Sequence, residues 1–158
     1  MKVYSRVLFS RKFIVVVSFL LLFGIFIMPA MASDRFVNNG DGTVTDTKTG
    51  LMWSAADNGN HINWKDACSY CQSCSVGGHT DWRMPTLAEL KSLYAPVITN
   101  EYGYHITTFI GTTAESCWAS ETRGEEAARF NFRYGQEYWL RQFHSGSGRA
   151  LPVRNVNY

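Results

Sequence analysis

The side chains best suited to covalent or metal chemistry in this 158-residue chain are its four cysteines, Cys68, Cys71, Cys74 and Cys117. The run Cys-x-x-Cys-x-x-Cys begins like an iron–sulfur ligand set, but no fourth cysteine follows nearby and no Cys-Pro occurs. Covalent haem needs a histidine directly after Cys-x-x-Cys, and Gln72 and Ser75 occupy those places. Four thiolates could hold zinc. An even cysteine count in a chain with an export leader points instead to disulfides, and two bridges are expected. On a continuous helix Cys68 and Cys74 stand about 9 Å apart, beyond the ~7 Å reach of a bridge. Cys117 therefore takes Cys68 or Cys74, and the other pairs with Cys71. Of the two we favour Cys74–Cys117 with Cys68–Cys71.

A second chemistry-bearing segment closes the chain. Residues 33–128 hold six basic and twelve acidic side chains. Residues 129–158 reverse that, with Arg129, Arg133, Arg141, Arg149 and Arg154 against Glu137 alone. Arginine offers a planar fork for sulfate, carboxylate or phosphate, and aromatic rings can stack on a sugar or a partner side chain. The candidate ligand-binding residues are Asn131, Arg133, Gln136, Tyr138, Trp139, Arg141, His144 and Ser145. A strand with Phe130, Phe132 and Tyr134 facing inward explains part of the same pattern. The chain carries no Ser/His/Asp order, HExxH, paired-carboxylate motif or phosphate loop. No catalytic residue, metal or cofactor is expected. His61 and His79 lack metal spacing and read as solvated.

The N-terminus sets the compartment. Lys2, Arg6, Arg11 and Lys12 precede an apolar run from Phe13 to Ile27, then Pro29 and Ala30-Met31-Ala32. This is the pattern of a secretory signal peptide over residues 1–32, with an uncleaved anchor as the alternative. Cleavage removes four basic and no acidic side chains, turning the net charge from +2 to −2. A nucleic-acid partner is then excluded, and membrane attachment requires the uncleaved form. The remainder, 33–158, is the size of one domain, placed in the periplasm, outside the cell or at its surface.

The elements that position these residues are short. Phe36-Val37, Thr43 to Thr45 and Leu51 to Trp53 alternate with Gly/Asn/Asp turns and read as hairpin strands. Placing Asp41-Gly42 in a calcium loop would put Val37 and Lys48 at ligand positions, so the acidic turn is structural. Asn63 caps a helix from Trp64 that Gly77-Gly78 should stop. Thr86 to Glu89 form a capping box for a second helix, with Leu87, Leu90, Leu93 and Tyr94 on one face and Pro96 as its stop. Residues 97–116 read as a long loop. Strands are expected at Trp118–Ser120, Ala128–Tyr134, Glu137–Phe143 and Ala150–Val153. The fold class is α+β, one domain with two short helices, antiparallel strands and its terminal strands close together.

The blocks Asn39 to Asp46, Thr49-Gly50-Leu51-Met52-Trp53, Gly78 to Thr86 with Glu89-Leu90, Trp118-Ala119-Ser120 and Leu151 to Arg154 closely resemble the bacterial Lcl C-terminal domain family. The resemblance implies a C-type-lectin-like fold and extracellular binding, including sulfated glycans for the collagen-like adhesin that typifies the family. Trp53, Asp81, Trp82, Arg83, Pro85, Trp118 and Arg154 then serve as structural motif residues, with Arg83 beside Asp81 locking the loop. Many family members carry a cysteine where this chain has Pro152, paired with the equivalent of Cys71, and that bridge cannot form here. The resemblance also implies two alternatives: a retroelement-diversified display domain varied over 129–149, and a cysteine oxidase similar to formylglycine-generating enzymes. The function expected is an exported, non-catalytic adhesion or recognition domain whose partner is an acidic or sulfated glycan or a surface protein. Mass spectrometry of the exported protein should find Ser33 at its N-terminus; a start at Met1 would establish the anchor instead.

Overall fold

Short β-branched runs separated by glycine turns build the first sheet of this computed structural model, which describes residues 34–156. The expected leader, 1–32, lies outside the described residues. Strands β1 (Phe36–Asn38), β2 (Thr43–Asp46) and β3 (Leu51–Ser54) form an antiparallel meander. The C-terminal strand β8 (Val153–Asn155) completes it by pairing with β3, Trp53 opposite Val153. Both ends of the domain thus share one sheet, as expected. The turn before β2 is local chemistry: the Asp41 carboxylate accepts from the Thr43 amide and hydroxyl at 3.0 and 2.6 Å. The Thr43 hydrogen bond holds that carboxyl below its usual range.

The second sheet has the order β6-β5-β4-β7, with β4 (Ser116–Arg123), β5 (Glu126–Asn131) and β6 (Gln136–Arg141) antiparallel and β7 (Gly148–Arg149) parallel to β4. β5 ends three residues earlier than expected. The Asn131 side chain accepts from the amides of Arg133 and Tyr134 and curls the chain into a turn. That turn continues through Gly135 at φ +69°, where any side chain would strike Tyr94. The expected strand at 150–153 is divided. Residues 150–152 cross between sheets, pairing only begins at Val153, and the unexpected β7 lies just before.

Helix α1 (Trp64–Ser73) starts where its sequence requires, with Asn63 accepting from the Asp66 amide at 3.0 Å. It stops earlier than the glycine pair suggests. Cys74 is already extended, and Gly77-Gly78 belong to a separate 3-10 turn, Val76–Gly78. Helix α2 (Leu87–Leu93) carries the full reciprocal cap, Thr86 on the Glu89 amide and Glu89 on the Thr86 amide. Such a cap contributes about 1 kcal/mol.

Two cores result. Leu87, Leu90 and Leu93 of α2 pack with Trp53, Val153, Cys117, Ala119, Phe130 and Phe132 between the sheets. Ala67 and Cys71 of α1 pack with Met84, Trp118, Ala127 and Ala150 on the outer face of the second sheet.

The long loop is ordered by one side chain. Asn100, only 5% exposed, donates to the carbonyls of Ile110 and Thr112 and to the Thr112 hydroxyl, and accepts from the amides of Tyr102 and Tyr104. Replacing it takes the donor from the Ile110 and Thr112 carbonyls and the acceptor from two amides. Asn100→Ala should therefore cost about 2–4 kcal/mol in urea unfolding, with amide exchange over 100–112 accelerated first.

Candidate functional site

The C-terminal arginines serve two different purposes. Arg129 is 1% exposed. Its guanidinium lies 3.7 Å from the Trp118 ring centre and donates to the carbonyls of Gly146 and His144 at 2.6 and 3.2 Å. Arg149 donates to the Thr113 hydroxyl at 2.7 Å and lies 3.6 Å from the Asp57 carboxylate, itself bound to the Thr113 amide. Arg154 forks onto Asp81 at 2.6 and 3.2 Å, and that hydrogen bond holds the Asp81 carboxyl below its usual range. These three are scaffold. Among the described residues Arg133 and Arg141 make no ion pair and are exposed.

The expected ligand residues do not converge on one surface. Arg133 sits in the β5–β6 turn and Arg141 at the far end of β6, roughly 17 Å apart at about 3.4 Å per residue. The two aromatics of β6 diverge because successive residues face opposite ways. Tyr138 stands opposite Arg129, while Trp139 packs toward the first core and carries Arg123 at 4.5 Å from its ring centre. Asn131 is buried and committed to its turn. Gln136 is exposed at the Arg133 end.

One group is brought together. Arg141 lies 5.9 Å from the ring centre of Phe143, which is 73% exposed. Phe143 and Gln142 meet Asn63 and Lys65, at the start of α1, around a depression of about 280 Å³. Exposed His144 and Ser145 follow on the same loop. The loop is pinned from beneath by Arg129 and by the Ser116 hydroxyl, which donates to the Ser147 carbonyl at 2.8 Å. Lys65 and Asn63 were not legible as partners of this loop. The Trp64 amide bonding the Gln142 carbonyl at 3.0 Å is what joins the two segments.

A larger groove, about 440 Å³, runs between α1 and β4. Trp64, Cys68 and Gln72 line one wall, four residues apart on one helix face, and Arg83, Met84, Thr86 and Ser120 line the other. That helical spacing was the available signal.

The cysteines depart from expectation. All four are free thiols, so the Cys74–Cys117 and Cys68–Cys71 bridges are not formed. The reason is geometric. Cys117 belongs to the core between the sheets, and its neighbour Trp118 faces α1 instead. Strand alternation thus puts Cys117 in a different core from Cys68 and Cys71 of α1. Within α1, Cβ atoms three residues apart stand about 5–6 Å from each other, wider than a disulfide spans.

A family model, the Lcl C-terminal domain, matches residues 42–154. The chain belongs to the Lcl C-terminal domain family. No curated protein matches it.

In this Lcl C-terminal domain the motif residues hold loops together. Trp53 and Trp118 are fully buried, and Trp82 nearly so, donating to the Val76 carbonyl at 3.2 Å. Pro85 is buried, its carbonyl accepting from the Ser120 amide. One expected pairing is corrected. Arg83 forks onto Glu89 at 2.7 and 2.8 Å, because α2 turns Glu89 back toward it, and Asp81 is left to Arg154. His61 is also corrected: exposed though it is, its Nδ1 accepts from the Ser147 amide at 3.0 Å and lies 3.1 Å from Arg149. His79 stands edge-on to Trp82.

The pinned loop depends on a missing side chain. A methyl group at Gly148 would collide with the Arg129 guanidinium, which Trp118 and two carbonyls prevent from yielding. Gly148→Ala should cost about 1–3 kcal/mol, read as a lower midpoint of urea unfolding.

Proposed function

We propose that this domain is an exported, non-catalytic recognition module whose ligand is an acidic or sulfated glycan, received where β6 meets the start of α1. The supporting observation is the exposed Phe143 ring flanked by Arg141 and Lys65, neither of which makes an ion pair among the described residues. An aromatic face beside two cations suits a sugar ring bearing sulfate or carboxylate. Each exposed charge contact contributes only about 0.2–1 kcal/mol, so monovalent binding is weak and display in many copies supplies avidity. The site would then work from the periplasm or the cell surface.

The thiols favour binding over catalysis. Burial pushes Cys68, Cys71 and Cys117 up from the usual thiol range, the direction opposite to an activated thiolate. The oxidase alternative gains nothing from that. A retroelement-diversified display domain has one observation in its favour: exposed Arg133 and Tyr134 ride on a turn held by buried Asn131, and exposed Phe143 and His144 on one held by Arg129. A reverse transcriptase gene and a repeat of the 3′ coding end beside this gene would favour it.

Arg141→Ala with Lys65→Ala should weaken binding to a sulfated oligosaccharide surface about two- to thirtyfold while leaving thermal stability nearly unchanged. Arg133→Ala, at the other end of β6, should leave binding nearly unaltered. Wild-type binding should fall as salt rises. Absence of salt-sensitive binding to every acidic glycan on an array would redirect the search to a protein partner.

A further inference from the structure

The floor of the α1–β4 groove is a sulfur cluster that the recognition reading does not use. Cys71 Sγ lies 3.6 Å from Met84 Sδ across the second core. Met84 also lines the groove, together with the half-buried Cys68. Cys68 precedes Cys71 by three residues on α1, so the two side chains occupy neighbouring positions on one helix face. Cys68 and Met84 thus line a cleft open to solvent, with the buried Cys71 thiol in contact with Met84 behind it.

The donor set selects the ion. Among the described residues no three His, Cys, Asp or Glu side chains converge, so zinc and calcium have no ordinary cage here. A thioether counts as a ligand only for soft ions, and mixed thiolate–thioether sets select copper(I). The spacing is suitable too. Two sulfurs each about 2.3 Å from one ion, at tetrahedral to trigonal angles, lie about 3.8–4.0 Å apart. The observed pair needs to open by only a few tenths of an ångström.

We propose that Cys71, Met84 and Cys68 form a copper(I) site at the base of the groove. The ion arrives as copper(I) and stays copper(I). Each thiol exchanges its S–H bond for a sulfur–copper bond and releases one proton to solvent, while Met84 donates a lone pair without losing anything. Cys71 and Met84 are already in place on the buried side. Cys68 closes the third position from the groove side, which is also the route by which the ion reaches the cluster.

The test is anaerobic titration of the purified full chain with copper(I) held by the chromophoric chelator bathocuproine disulfonate. The wild type should withdraw one equivalent, and copper-edge X-ray absorption should show an all-sulfur shell near 2.3 Å. Met84→Leu, close in volume, should preserve the thermal unfolding midpoint of the copper-free protein. It should weaken copper binding at least about tenfold, since even partners beyond the ligand shell contribute that much. Equal affinity in Met84→Leu would mean that thiols alone capture the ion, and the site is wrong. No withdrawal from the chelator by the wild type, or a shell dominated by nitrogen and oxygen, would overturn it equally.

Discussion

The first half of strand β4, Ser116 to Ala119, is buried on both faces, and that constraint organises the rest of the molecule. Cys117 and Ala119 face the core between the sheets, while Trp118 faces α1. A strand covered twice must supply every neighbour with a hydrogen-bonding anchor as well as apolar surface. Trp118 donates to the Ile62 carbonyl, and Trp64 of α1 donates to the Ala119 carbonyl. The Ser120 amide reaches Pro85, and the Glu121 carboxylate accepts from the Leu87 amide at the start of α2. Both helices and the motif loop between them are therefore set against consecutive residues of one strand.

The buried arginines follow from the same arrangement. A guanidinium removed from water must meet acceptors on most of its donors, or its desolvation dominates. Arg129 finds a ring and two carbonyls, with its Nε alone left without a hydrogen bond, Arg149 a hydroxyl near a carboxylate, and Arg154 a carboxylate fork. Each ties together segments that lie far apart in the chain. The positive excess of the last thirty residues is thus mostly internal, and only Arg133 and Arg141 remain exposed.

Rigid support beneath an exposed loop is what a binding surface requires, because ordering a mobile loop on contact subtracts from affinity. Residues 142–147 have that support from Arg129, Ser116 and His61. On the opposite wall of α1 the groove reaches the sulfur cluster, so one helix borders both regions without the two sharing a residue.

Local sequence determined what local chemistry can determine. The Asn63 cap, the Thr86–Glu89 box, the turn at Asp41 and the hairpin strands all form where residue type and spacing place them, because the caps and the turn depend on atoms within three residues and the strands pair across short turns. The family blocks were legible for the same reason, being short runs of adjacent residues. The partners of Arg83, Asp81 and His61 were not, nor was the ordering of 97–116 by Asn100, since each involves residues brought together by folding or loop closure. The disulfide expectation shows the limit most clearly. Spacing along α1 bounded which cysteines could meet, but the side of β4 on which Cys117 falls depends on strand parity within a two-sided sheet. That parity, and with it the surroundings of Cys117 and Trp118, belongs to the tertiary structure alone.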